Sequence, residues 1–347
     1  MLGFEKECYI GGKAVLCLGV LFMKPRERAI RALELEEPDR VPMFELQFQY
    51  PEEIVGEPYI LSEHQTGWAM TVARDFLKMD EEMMKRDRAV DVNEHNSRVL
   101  VETCRKMGYD IIRVGFVPDK IESLRILRRL APDHLIAGSV GGTVGIPNGK
   151  KMAELVYQIY RKPWEFKRRM ENRIREEIEN LKRQADAGAE LVFDCTDYCL
   201  KEGPFYSLWV YRELIFPFLK MLVDAAHREG IFFVKHTDGN IRPIIDDLIA
   251  TGIDALHSID PSAGMSLSEV KEKYGDKVAL CGNVDAASTM VYGSPEQVAE
   301  EARRCIRDAA AGGGYFLTTS NCIYRGIPPV NSITLSKTGK KYGRYPY

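Results

Sequence analysis

The chain has 347 residues, 48 of them Lys or Arg and 51 Asp or Glu, for a net charge of −3. It is long enough for one large barrel or two ordinary domains, and it carries no overall field that would gather nucleic acid or an anionic membrane, so its partners must be recognised locally. Eight cysteines, at 8, 17, 104, 195, 199, 281, 305 and 322, form no CxxC pair, which argues against a disulfide framework and for a reducing, cytoplasmic setting.

Near the start, YIGGKAVLCLGVLF (Tyr9 to Phe22) is apolar enough for a signal core, but Glu5 and Glu7 stand where positive charge belongs. It is also too short and glycine-broken to span a bilayer. Residues 1–22 are therefore expected to be a poorly ordered extension, with one ordered domain over 23–347. PRERAIRALELEEPDR reads as a short charged helix stopped by Pro38, followed by the apolar segment VPMFEL. Helical spacing then recurs over 64–76, 80–88 and 92–107. YDIIRVGF reads as a strand, 119–130 as a helix, and HLIAGSV as a strand leading into the glycine loop GGTVG. That loop lacks a following GK[ST], so close backbone approach is a better reading than a phosphate cradle.

Pro163 opens a long amphipathic helix that ends at a glycine. From there the rhythm is regular: LVFD, FFVKH, DALH, VALCG and YFLTT alternate with helical segments, the pattern of a parallel sheet covered on both faces. GGGY (312–315) fits a tight turn into the last of these strands. Polar residues gather at the carboxyl ends of the five runs: Asp194 and Asp197, then His236 and Asp238, His257, Cys281 and Asn283, and Asn321 with Cys322. A (β/α)8 barrel places its active site there, where the loops leaving the strands converge. In KHTDGN the spacing of two puts His236 and Asp238 on one face, where they can share a cation or a proton. Asp194 and Asp197 are candidates for acid–base or orienting roles, and His257 and Glu45 for spare ligands or proton carriers. Phe205 and Tyr206, opening the helix after β-run LVFD, are candidates to line the substrate, with Asn283 and Asn321 as polar contacts.

PRERAIRALELEEPDRVP, GPFYSLWVYRELIFPFLK, HTDG, CGNVD, GGGY and PPVN together resemble the uroporphyrinogen decarboxylase superfamily, over residues 23–347. The resemblance implies a single (β/α)8 barrel of the TIM type with extra N-terminal helices, and a homodimer in the decarboxylase branch. That branch carries MRQAGR after its first RVP, an aspartate in the second strand and a late GHG. This chain has MFELQFQYP (Met43 to Pro51), IIRVGF and SNCI instead. The cobalamin-linked methyltransferase branch resembles an HxC pair followed by a distant cysteine, together holding zinc. Here His236 matches the histidine, Asp238 stands at the cysteine position, and Cys322 follows 84 positions after Asp238. Counting back from Asn331 puts the late ligand position on Asn321, and Cys281 is a further ligand candidate.

The resemblance thus implies methyl transfer from a small methylated substrate, such as an aromatic methyl ether, to a corrinoid supplied by a separate protein, since no DxHxxG motif occurs. An oxygen ligand in place of sulfur makes a harder, more Lewis-acidic zinc site. The alternatives are a decarboxylase of a porphyrinogen or other cyclic acid, and a non-catalytic barrel that binds a tetrapyrrole.

Overall fold

The computed structural model describes residues 5–10, 13–18, 23–60, 91–147, 149 and 151–346. The helices expected over 64–76 and 80–88 lie outside the described residues. Strands β1 (Glu5–Ile10) and β2 (Lys13–Leu18) pair as an antiparallel hairpin. The body of the molecule is a sheet of seven parallel strands: β3 (Ile111–Arg113), β4 (Leu135–Val140), β5 (Leu191–Asp194), β8 (Phe232–His236), β9 (Ala255–Ser258), β10 (Ala279–Val284) and β11 (Tyr315–Thr319). They are ordered β11-β10-β9-β8-β5-β4-β3. A two-stranded turn, β6 (Cys199–Leu200) with β7 (Gly203–Pro204), projects after β5.

The segment VPMFEL closes the barrel between the two edge strands. Leu317 N on β11 donates to Pro42 O (3.0 Å), and Asp110 N, just before β3, donates to Met43 O (2.7 Å). Met43 and Phe48 bridge in parallel to Leu317 and Ile323. The join is locked by Asp110, which is fully buried, accepts from Met43 N at 2.8 Å and pairs with Arg28 (2.6 Å) and Arg40 (3.0 Å).

Helices form where the sequence caps them. The Asp119 carboxylate accepts from Ile121 N and Glu122 N to start Lys120–Leu130, and Ser294 with Gln297 makes a reciprocal capping box for Pro295–Ala309. Gly108 takes a left-handed conformation (φ +72) that ends Val92–Met107. Pro163–Asp186 packs against Phe216–Arg228 outside the strands. Because strand side chains alternate, two apolar layers result. Ile111, Ala137, Phe193, Val234, Ala255 and Phe316 fill the barrel interior, while Ile112, Val192, Phe233, Leu256, Leu280 and Leu317 pack against the helices. Among the described residues no helix is long and apolar enough to cross a membrane.

Candidate metal centre

Strand β8 delivers the central residue. Phe232, Val234 and His236 share the interior face, and Phe233 and Lys235 point the other way. His236 is 4% exposed and lies in register with the fully buried His257 of β9. Side chains in register on parallel strands face the same side, and the two Nδ1 atoms stand 2.7 Å apart. The proton positions follow from the partners. His257 Nε2 lies 3.0 Å from Thr319 O, a carbonyl that can only accept, so Nε2 carries a proton. Burial, reinforced by neighbouring His236, pushes the His257 pKa well below its ordinary value, so the ring is neutral and its Nδ1 accepts. His236 Nδ1 must then donate. In neutral His236 this leaves Nε2 with a bare lone pair.

That lone pair faces two carboxylates. His236 Nε2 is 3.7 Å from Asp197 Oδ1 and 3.8 Å from Asp238 Oδ1. Both distances exceed a hydrogen bond. Ligand atoms roughly 2.1 Å from one tetrahedral ion are about 3.4 Å apart, so the spacing suits a shared zinc-sized cation. Asp197 Oδ1 also accepts from Asp238 N (2.9 Å), and Asn321 Nδ2 donates to Asp238 Oδ2 (2.7 Å), which fixes both acids. Burial, offset by His236 and reinforced by Asp197, raises the Asp238 pKa. Among the described residues Asp197, His236 and Asp238 are the three His, Cys, Asp or Glu side chains whose ligand atoms converge within 4.8 Å. The zinc implied by the resemblance therefore fits, with an N,O,O donor set in which a second histidine orients the first.

Other expected site residues fall elsewhere. Cys281 and Cys322 belong to the apolar packing inside the barrel, outside the convergent trio, and burial pushes both thiols up, which disfavours the thiolate that binds metal. Asp194 points to the opposite face from His236. It meets Lys235 Nζ at 3.1 Å with both side chains fully buried, so it is neutralised rather than free for acid–base work. Lys235 also donates to Thr196 O (2.6 Å) and lies 4.1 Å from the Tyr198 ring centre. Glu45 is no spare ligand: it accepts from Thr319 N (3.0 Å) and Thr319 Oγ1 (2.6 Å), tying the closing segment to β11. Asn283 donates to Ile259 O (2.7 Å) and accepts from Arg304 (3.0 Å), a structural brace.

A cavity of about 640 Å³ adjoins the trio, lined in part by Asp197, Asp238, Cys195, Arg173 and the glycine loop. Tyr206, buried, donates to Gly145 O (3.0 Å) and supports that loop from behind, with Phe205 edge-on against it at 4.8 Å; neither ring lines the cavity. Gly142 (φ +58) is required here, since a Cβ would lie 2.1 Å from Asp194 Oδ1. Gly239 (φ +88) likewise sits against the Cys199 carbonyl, where a Cβ would be 2.5 Å away.

The sequence model of uroporphyrinogen decarboxylase matches residues 94–342. The chain belongs to the uroporphyrinogen decarboxylase family. Relatives bearing that name include a Serratia proteamaculans protein, 25% identical over 64% of this chain and 62% of its own length. Another, from Chlorobaculum parvum, is 30% identical over 55% of this chain and 51% of its own length. The alignment with a Pseudoalteromonas translucida relative, 29% identical over 45% of this chain, spans 42% of that protein. Among solved structures, a methyltransferase from Methanosarcina mazei superposes with a TM-score of 0.67 over 92% of this chain and 99% of that one, at 16% identity. A B12-independent methionine synthase from Shewanella gives 0.52 over 87% and 97%, at 13% identity. At those identities the likeness establishes the barrel fold, which this uroporphyrinogen decarboxylase family member shares.

Asp197 is among the acid candidates that the sequence offers, and nothing in the loop after β5 separates its role from that of Asp194. Arg113, at the inward end of β3, is not among the sequence candidates. Arg113 carried a usable signal: a lone cation in phase with the interior residue Ile111 at the end of an apolar strand.

Proposed function

We propose that this family member transfers a methyl group from oxygen on a small methylated substrate to a corrinoid held by a separate protein. The observation that carries the reading is the Nε2 of His236 set 3.7 and 3.8 Å from two carboxylates, beyond hydrogen-bond reach of either and at the spacing of ligands that share one cation. The imidazole and the two carboxylates would be the protein's ligands. A divalent metal bound there supplies a Lewis acid beside the substrate heteroatom. Oxygen donors in place of thiolates favour an ether or alcohol oxygen over a thiol.

The chain's own residues do the positioning. His257 fixes the His236 ring through the Nδ1 contact and is itself fixed by Thr319 O. Asn321 holds Asp238, and the cavity beside Asp197 and Asp238 leaves room for a small substrate. The fold of the Methanosarcina methyltransferase accords with this reading, whereas the names of the curated relatives point to decarboxylation. Against the latter, Asp110, the acid nearest β3, is enclosed by Arg28 and Arg40 beneath the strands and cannot meet a substrate in the mouth.

Metal analysis of protein purified without chelator tests the proposal. About one zinc per chain, lost in His236→Ala, supports methyl transfer. Metal-free protein that releases CO2 from a cyclic acid would replace it with a carboxy-lyase.

A further inference from the structure

Of the three convergent side chains, Asp197 has the least obvious support. His236 ends strand β8 and Asp238 follows two positions later, so that strand places both. Asp197 lies instead in the segment 195–198, which has no regular structure, and its side chain is 44% exposed. A carboxylate on such a segment holds one position only if the backbone on either side of it is tied down.

The ties come from β8. His236 faces the barrel interior, and its two neighbours reach the segment after β5 instead. Lys235 Nζ donates to Thr196 O (2.6 Å), and Thr237 Oγ1 accepts from Tyr198 N (2.9 Å). Thr196 and Tyr198 flank Asp197, so the segment is gripped on both sides of the acid. Tyr198 is fully buried, and among the described residues its N–H has no other acceptor. Thr237 is 1% exposed, and its own N donates to His257 O (2.9 Å), which ties it to the strand that orients His236. Its hydroxyl proton points to Asp238 O (3.3 Å), leaving a lone pair for Tyr198 N. In the other direction Asp238 N donates to Asp197 Oδ1 (2.9 Å). The two segments thus exchange bonds, and a reciprocal pair fixes both separation and rotation where a single bond leaves a pivot.

We propose that Thr237 is the positioning residue for Asp197: its hydroxyl latches the segment 195–198 onto β8 and so holds the Asp197 carboxylate opposite His236 Nε2. The residue between histidine and aspartate in HTD is then part of the site without touching a metal, as an outer partner that orients a ligand. The inference rests on the proposed function in taking Asp197 for a metal ligand.

Valine and serine separate positioning from packing. Thr237→Val keeps the branched shape and removes the hydroxyl, whereas Thr237→Ser keeps the hydroxyl and removes the methyl. Zinc affinity of the full chain, measured by competition with a chelator, should fall about 10–100-fold in Thr237→Val and stay close to wild type in Thr237→Ser. A packing role predicts the opposite order. Affinity unchanged in Thr237→Val, or reduced as much in Thr237→Ser, overturns the inference. Should Thr237→Val fail to fold, Thr237→Ala takes its place against Thr237→Ser, with the same two outcomes. Residue-resolved hydrogen exchange of the metal-free protein supplies a readout that needs no zinc. Thr196 N donates to Asp194 Oδ1 (2.9 Å) and not to Thr237. Its amide should nevertheless exchange about tenfold faster in Thr237→Val, because the whole segment is released. Loss of protection confined to Tyr198 overturns the inference. Wild-type protein that binds no zinc removes the proposed function, and exchange at Thr196 then decides the latch by itself.

Discussion

Lys235 and His236 are adjacent in sequence and sit in opposite situations. Lys235 faces the helices, where Asp194, the Thr196 carbonyl and the Tyr198 ring meet every demand of its charge. His236 faces the barrel mouth, where its Nε2 confronts Asp197 and Asp238, whose side chains are 44% and 34% exposed. A buried charge that is matched has a structural role; an imidazole and two half-exposed acids converging on one point have the arrangement of a cation site. One residue of strand alternation separates the two.

The largest expected effect is on the inward face. His236→Ala should remove bound zinc altogether, read by metal analysis, and should also lower the thermal midpoint of the metal-stripped protein, because it empties a buried site and leaves His257 Nδ1 without its partner. If the variant retains a full equivalent of zinc, the inward face is not the metal centre. On the outward face, Lys235→Met should strand the Asp194 carboxylate and cost about 3–5 kcal/mol in a denaturant titration. A loss below about 1 kcal/mol would show the pair to be less isolated than its burial implies.

Glu45 sharpens the comparison because it lies behind the inward face. Burial, against two hydrogen bonds from Thr319, lifts its pKa from 4.5 to about 8. The folded state therefore holds a proton that the unfolded chain releases. This contribution to stability is full below the unfolded value of 4.5 and is lost as pH rises towards 8. The difference in stability between wild type and Glu45→Gln should shift over that window, in favour of the variant at the alkaline end, and a flat difference would mean that Glu45 is ionised throughout.

His257→Phe keeps the ring volume and removes the bond that orients His236. Zinc affinity, measured by competition with a chelator, should weaken roughly 10–100-fold with little change in fold. The smallest effect is expected from Cys322→Ser. Zinc stoichiometry and affinity should be unchanged, and a measurable loss would return the sulfur to the ligand set.

Much of this was legible in the chain. The alternation of LVFD, FFVKH, DALH, VALCG and YFLTT with helical segments marked five of the seven parallel strands, and the helix over 92–107 falls within its expected limits. His236 and Asp238 were legible as a pair because HxD at a strand end has a fixed geometry, and Asn321 emerged as the late partner position, where it now holds Asp238. Their roles within the rim were less legible. Asp194 and Asp197 differ in sequence by three positions, yet one ends a strand and obeys its alternation while the other sits in a loop with no period. Residue type alone points to Cys281 and Cys322 as ligands, whereas packing places both among the apolar side chains of the barrel interior and outside the convergent trio.

The sequence by itself determined the barrel, through apolar runs that only a two-faced parallel sheet can bury, and the end of the barrel at which polar groups collect. Tertiary structure alone decided which of them meet. Glu45 reaches Thr319 across 274 positions and Arg113 reaches Cys195 across 82. The first contact exists because the closing segment joins the edge strands β3 and β11, and the second because β3 and β5 flank β4 and meet inside the curved sheet; curvature and closure are properties of the whole chain that no local pattern encodes.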